Sequence, residues 1–142
     1  MLNLLLGLGV MVLCLFVQAM LVVLSILFYA RHQDSAKTPT FFSTLGVISG
    51  VMVVLVIGNF IQIAIWAAVF IQLGEFTEFL TAFYHSAVNF ATLGYGDIVM
   101  TEEHRVLGPM QSINGVLMVG VSTAVMMSAL QHSLKRIQAA RG

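Results

Sequence analysis

The string Thr92-Leu93-Gly94-Tyr95-Gly96-Asp97 holds the residues of this sequence whose types and spacing suit a specific chemistry. That chemistry is coordination, with no bond made or broken. Gly-x-Gly spacing lets alternate residues take positive φ. Left- and right-handed conformations then alternate, and successive carbonyls can point the same way. The Thr92 hydroxyl adds one more oxygen at one end. A row of oxygens facing an axis replaces the water shell of a dehydrated potassium ion. Asp97 adds negative charge at the other end, where cations would concentrate. Nothing else in the chain suggests catalysis: there is no P-loop, no nucleophile–base pair and no metal-ligand cluster. No enzyme activity and no cofactor are expected.

Such a backbone needs elements to hold it, and the composition says in which solvent they lie. Of 142 residues, 59% are hydrophobic and only 8% charged; an ordinary soluble domain is about 25% charged. A chain this small cannot hide so much apolar surface from water. Disorder, fibrous repeats and nucleic-acid binding are excluded by the same numbers. The single cysteine, Cys14, excludes an intrachain disulfide and a cysteine-based zinc cluster.

Charge is absent from Leu2 to Ala30, Thr38 to Gly74, Phe79 to Gly96 and Val106 to Leu134. A membrane-spanning helix needs roughly 20 apolar residues, and the first, second and last stretches suffice. The third carries Thr81, His85, Ser86, Asn89 and Thr92, which is polar for a lipid-facing helix. Basic residues gather on the cytoplasmic side of membrane proteins. Three spans place Arg31, Lys37, Lys135, Arg136 and Arg141 together, opposite Arg105, Glu75, Glu78, Asp97, Glu102 and Glu103. A fourth span would split the basic set. The expected fold is therefore an all-α membrane protein with three transmembrane helices and a re-entrant stretch. Its N-terminus is outside and its C-terminus cytoplasmic, as a multi-pass protein of the plasma (inner) membrane. The first helix lacks a basic n-region and its apolar run is too long for a cleaved signal peptide. Pro39 and Thr40 suit the start of the second helix. Gly46, Gly50, Gly58, Gly115 and Gly120 permit close helix packing in lipid. A short helix from about Glu78 to Ala91 would carry Glu75 and Glu78 near its positive N-terminal end.

Between two spans, TLGYGD resembles the selectivity filter of potassium channels, specifically the small bacterial type with one pore loop per subunit. It matches the T-V-G-Y-G-D signature with one substitution, and the resemblance runs from about Leu73 to Leu134. It implies that Thr92, Leu93, Gly94 and Tyr95 supply the oxygens that coordinate K⁺, the permeant ion, with Gly96 completing the filter. Asp97 then stands at the outer mouth. Tyr84 and His85 occupy the place of the aromatic pair that braces the filter. Arg105 opens the inner helix, and Gly115 falls at the usual hinge. The implied segments are a first transmembrane helix (1–30), a cytoplasmic loop (31–40), an outer pore helix (41–74), a re-entrant pore helix with filter and outer mouth (75–104), an inner helix (105–134) and a cytoplasmic tail (135–142). One loop offers one wall of a carbonyl ring, so a homotetramer in membrane lipid is expected.

Periodicity adds a cavity. Val116, Val119, Thr123, Met127 and Gln131 recur at steps of three and four and share one helix face. They are expected to line the inner cavity, with Met127 and Gln131 nearest its gate. No arginine-rich voltage sensor is present. The expected function is passive K⁺ conduction. The alternatives are a weakly selective cation channel, or a non-conducting subunit that regulates a partner through its first helix.

Some residues admit two readings. His85 either bonds a Tyr95 hydroxyl, across a subunit boundary or within one, or is a packed histidine bonded to water or backbone. His104 either senses external pH or faces solvent in a loop. Gln111 and Asn114 either bond behind the filter or make an ordinary helix contact. Gly115 serves either a hinge or close packing. Cys14, Gln18 and Ser25 read as packing residues, and Leu93, Ala91 and Val99-Met100 depart from the commonest pattern of the family.

Overall fold

A computed structural model of the protein describes residues 1–34 and 41–139. Lys37, Pro39, Thr40 and Arg141 lie outside the described residues. The elements are α1 (Leu2–Asp34), α2 (Phe41–Gln72), α3 (Phe79–Phe90) and α4 (Leu107–Ala139). Every described element is helical, as lipid demands: a helix satisfies its own backbone hydrogen bonds, and an open strand does not. The apolar stretches Leu2–Arg31, Thr44–Gln72 and Leu107–Lys135 are each long enough to cross a bilayer. α3 has 12 residues, about 18 Å of helix against a hydrocarbon core of about 30 Å. It enters the bundle without crossing it. The helices outrun the expected segments, since α1 continues past Ala30 to Asp34 and α4 past Leu134 to Ala139.

The contacts fix the directions of the helices. Asn3 donates to the Glu103 carbonyl, Gln18 to the Ser122 hydroxyl, and Tyr29 pairs with Ser133. The near-constant offset makes α1 and α4 parallel. Leu21 faces Gly58 and Phe28 faces Gly50, so α1 and α2 are antiparallel. A Cβ on Gly58 would stand 2.2 Å from Leu21 Cδ1, so the two helices approach closely at this glycine. Gly46 and Gly120, by contrast, have no atom of the described residues within 4 Å of a Cβ, so packing inside one chain does not call for them.

Two apolar clusters join the layers. Val10 and Cys14 of α1 meet Trp66 and Phe70 of α2 and Leu107 of α4. Ile63, Phe90 and Met118 join α2, α3 and α4 deeper in the bundle. Polar bonds inside the spans add direction to the packing. Gln62 Nε2 donates to Gln18 Oε1 at 2.8 Å, and Gln18 Nε2 donates to Ser122 Oγ at 3.1 Å. α1, α2 and α4 are thus tied by one buried chain. Gln18 is a bridging residue, a role its packing reading had not assigned.

Candidate functional site

The loop between α3 and α4 is positioned from α2 onwards. α2 ends in a Schellman motif: Gly74 at φ +77° donates to Ile71 O at 2.9 Å, and Glu75 N to Phe70 O at 3.1 Å. That turn directs the Glu75 side chain towards Thr101 and His104. The Glu75 side chain is 3% exposed. It accepts the Thr101 amide at 2.8 Å, the Thr101 hydroxyl, and His104 Nδ1–H at 2.6 Å. Burial of the Glu75 carboxyl raises its pKa, but the Thr101 and His104 donors outweigh it and hold the group below its usual value. His104 is accordingly a packed partner, not a solvent-facing loop residue. Glu75, Thr101 and His104 pin the far end of the loop to the end of α2.

α3 follows the N-cap residue Glu78, which makes no side-chain cap, and is held on both sides. Ser86 Oγ donates to Ile63 O of α2 at 2.7 Å, and Gln111 Nε2 of α4 donates to Ser86 O at 3.0 Å. Ser112 Oγ donates to Asn89 O at 2.9 Å. Of the pair Gln111 and Asn114, Gln111 thus grips α3, while Asn114 is fully buried and makes no hydrogen bond to α3 among the described residues. A Cβ on Gly115 would lie 2.0 Å from Phe90 O, so close approach of α4 to the end of α3 requires a glycine there.

The end of α3 sets the conformation of the loop. Thr92 N donates to Asn89 O and Leu93 N to Val88 O, both at 2.9 Å. This is again a Schellman motif, with Thr92 in the left-handed position at φ +58°. A β-branched residue there is strained, at about 1–3 kcal/mol, and such strain gathers at functional sites. Gly94 at φ +58° and Gly96 at φ +72° repeat the left-handed conformation, while Leu93 and Tyr95 between them do not. From Thr92 to Gly96 the handedness alternates residue by residue.

A family model described as an ion channel matches residues 59–132, more than half of the chain. The chain belongs to this ion-channel family. The matched span begins late in α2 and runs through α3, the loop and most of α4, so the channel domain contains the strained loop and both helices that flank it. No curated protein and no solved structure matches the chain.

Around the loop, the channel fixes side chains from α3. Tyr84 Oη donates to Asp97 Oδ2 at 2.7 Å, and Asp97 Oδ1 accepts Ile98 N at 3.0 Å. The Tyr84 hydroxyl is the largest cause that holds the exposed Asp97 carboxyl below its usual pKa. Asn89 Nδ2 donates to His85 Nε2 at 2.9 Å, so His85 Nδ1 carries the proton and donates to Ile98 O at 3.0 Å. Within one chain the His85 ring is therefore engaged at both nitrogens, by Asn89 and backbone, and its partner is not Tyr95. Phe70 and Phe76 flank the ring at 5.6 and 5.1 Å between centroids.

The other residues singled out from the sequence fall on open surfaces. Thr92 to Asp97 are exposed throughout. So are Val116, Val119, Thr123, Met127 and Gln131, along one side of α4. The Thr123 hydroxyl turns back to Val119 O at 2.9 Å. Gly115 is buried against α3 and does not share that open face. Glu75, Thr101 and Asn89 were not legible as site residues. Asn89 lies four residues after His85, which is the helical spacing that brings their side chains together.

Proposed function

We propose that the protein is one subunit of a tetrameric, potassium-selective channel and passes K⁺ passively down its gradient. The alternating handedness of Thr92, Leu93, Gly94, Tyr95 and Gly96 carries this reading. Alternation of this kind turns successive carbonyls the same way, and a ring of such carbonyls replaces the K⁺ hydration shell. The loop is exposed, so one chain presents one wall, and four copies complete the ring. The Thr92 hydroxyl lies at the inner end. Asp97, ionised and tied to Tyr84, lies at the outer mouth. The α3 C-terminus, where the helix dipole is negative, precedes the filter directly and favours a cation there.

The exposed face of α4 supports the rest of the path. Val116, Val119 and Thr123 would line the cavity, and Met127 and Gln131 would narrow it at the inner mouth. Arg31 and Lys135 lie at the end of the bundle away from the filter, which under the basic-side rule is cytoplasmic. Gly115, packed on Phe90 O, acts as a fixed contact in this reading and not as a hinge.

Purified protein in liposomes, given opposed K⁺ and Na⁺ gradients, tests the proposal. Flux of K⁺ well above Na⁺, abolished by Gly94→Ala, is expected, because alanine at φ +58° is strained. Equal K⁺ and Na⁺ flux would sink selectivity. Flux that survives in Gly94→Ala would sink the filter assignment.

A further inference from the structure

At the end of the bundle away from the filter, α1, α2 and α4 enclose a cavity that the ion path does not use. Its volume is about 290 Å³, and Ser25, Tyr29, Val51, Val125, Ala129 and His132 are among its walls. Most of the lining is apolar, and none of it is acidic. Ser25, Tyr29, Ser128 and His132 are its polar walls; Ser25 is 1% exposed and its hydroxyl has no hydrogen-bond partner among the described residues. A helical serine without other partners normally returns its hydroxyl to the carbonyl four residues earlier. Here the hydroxyl is left beside the cavity.

Position identifies what could satisfy it. The cavity lies between membrane spans and its lining includes the exposed apolar side chain Ile26, so lipid reaches its mouth. Ser25 precedes Arg31 by about 9 Å of helix, which is close to the thickness of one interfacial layer, about 5–8 Å. Lys135 lies one turn beyond His132 on α4 and is exposed. An apolar chain, a hydrogen-bond acceptor at the depth of Ser25 and an anion at the rim are thus required in that order.

We infer that this cavity binds one anionic phospholipid from the leaflet on that side. An acyl chain fills the apolar part, an ester carbonyl accepts the Ser25 hydroxyl, and the phosphate rests beside His132 and Lys135. The site belongs to the first helix as much as to the pore helices, and gives α1 a task in sensing the bilayer.

The test is lipid retention, which does not depend on ion selectivity. Purified protein in micelles is offered phosphatidylglycerol and phosphatidylcholine with identical chains, and retained lipid is counted by native mass spectrometry. Phosphatidylglycerol is expected to be retained in preference. Lys135→Gln should lower its retention about fivefold and leave phosphatidylcholine unchanged. Ala129→Phe fills the cavity and should remove both lipids. Ser25→Ala, which disturbs packing least, should weaken both by a similar factor, about fivefold. Equal retention of the two lipids would overturn the inference. So would a preference for phosphatidylglycerol that survives both Ala129→Phe and Ser25→Ala, since the contact would then be on the surface. Absence of any retained lipid would overturn it too, and would point to a neighbouring copy as the cover.

Discussion

Gly115→Ala separates packing from hinge motion at the contact between α4 and α3. The added methyl would stand 2.0 Å from Phe90 O, 2.8 Å from Phe90 C and 3.0 Å from Phe90 Cα. A carbon and an oxygen rest at about 3.5 Å or more, so α4 must retreat by more than an ångström. The neighbour is backbone, which cannot rotate away as a side chain does. Overpacking of this kind costs about 3 kcal/mol, the upper end of its usual range. Against it, alanine gains about 1 kcal/mol over glycine in a helix interior. The net expectation is a loss of about 2 kcal/mol. Gly120→Ala is the matched control: nothing lies within 4 Å of its Cβ, so only the gain of about 1 kcal/mol remains. The two substitutions therefore move stability in opposite directions, measured by unfolding titration in mixed micelles. Because Phe90 immediately precedes the turn that sets Thr92, Gly115→Ala should also lower K⁺ flux per folded protein. Gly115→Ala with wild-type or greater stability and unchanged flux would refute the packing argument.

Three further outcomes follow from the same geometry. In a double-mutant cycle, Gln18→Leu and Ser122→Ala should couple by about 0.6 kcal/mol, the usual size for hydrogen bonds between membrane helices; a coupling of zero would mean that the bond between α1 and α4 contributes nothing. Tyr84→Phe removes the largest cause that depresses the Asp97 pKa. The Asp97 titration should then move up, as followed by the carboxylate infrared band, and an unchanged position would refute the Tyr84 assignment. Glu75 has a folded-state pKa below its unfolded value. Its contribution is therefore present above that unfolded value and fades as pH falls through the lower folded one. Wild type should exceed Glu75→Gln in thermal stability at pH 6, with the gap closing in more acidic solution; a gap that does not change with pH would count against the ionised carboxylate.

Charge spacing made the crossings legible. Uncharged runs separated by short polar bands are a one-dimensional signal, and three spanning helices with one short re-entrant helix follow from it. Helix ends were less legible, because α1 and α4 continue through polar residues that no apolar count includes. The place of the candidate site could be read from Gly94 and Gly96, whose type already permits positive φ. Thr92 could not be read this way. Its left-handed φ comes from the way α3 ends, and threonine alone argues against it. The partners of Glu75 were hidden for a similar reason: its position in sequence suggests only the α3 dipole, and the turn at Gly74 aims it at Thr101 and His104. The Gln62–Gln18–Ser122 chain lay beyond local reading altogether, since Gln18 is 44 residues from Gln62 and 104 from Ser122.

Those two separations also set an order of events during synthesis. A ribosome adds roughly 5–20 residues per second, so Gln18 waits seconds for Gln62 and about twice as long for Ser122. A lone glutamine amide in lipid is costly until it finds a partner. α1 and α2 can satisfy one another as an antiparallel hairpin while α4 is still being made. α4 then arrives last, in a membrane where Gln18 Nε2 is still free to receive it. The first helix thus serves as a nursery for the pore, holding α2 in place before there is any channel to support.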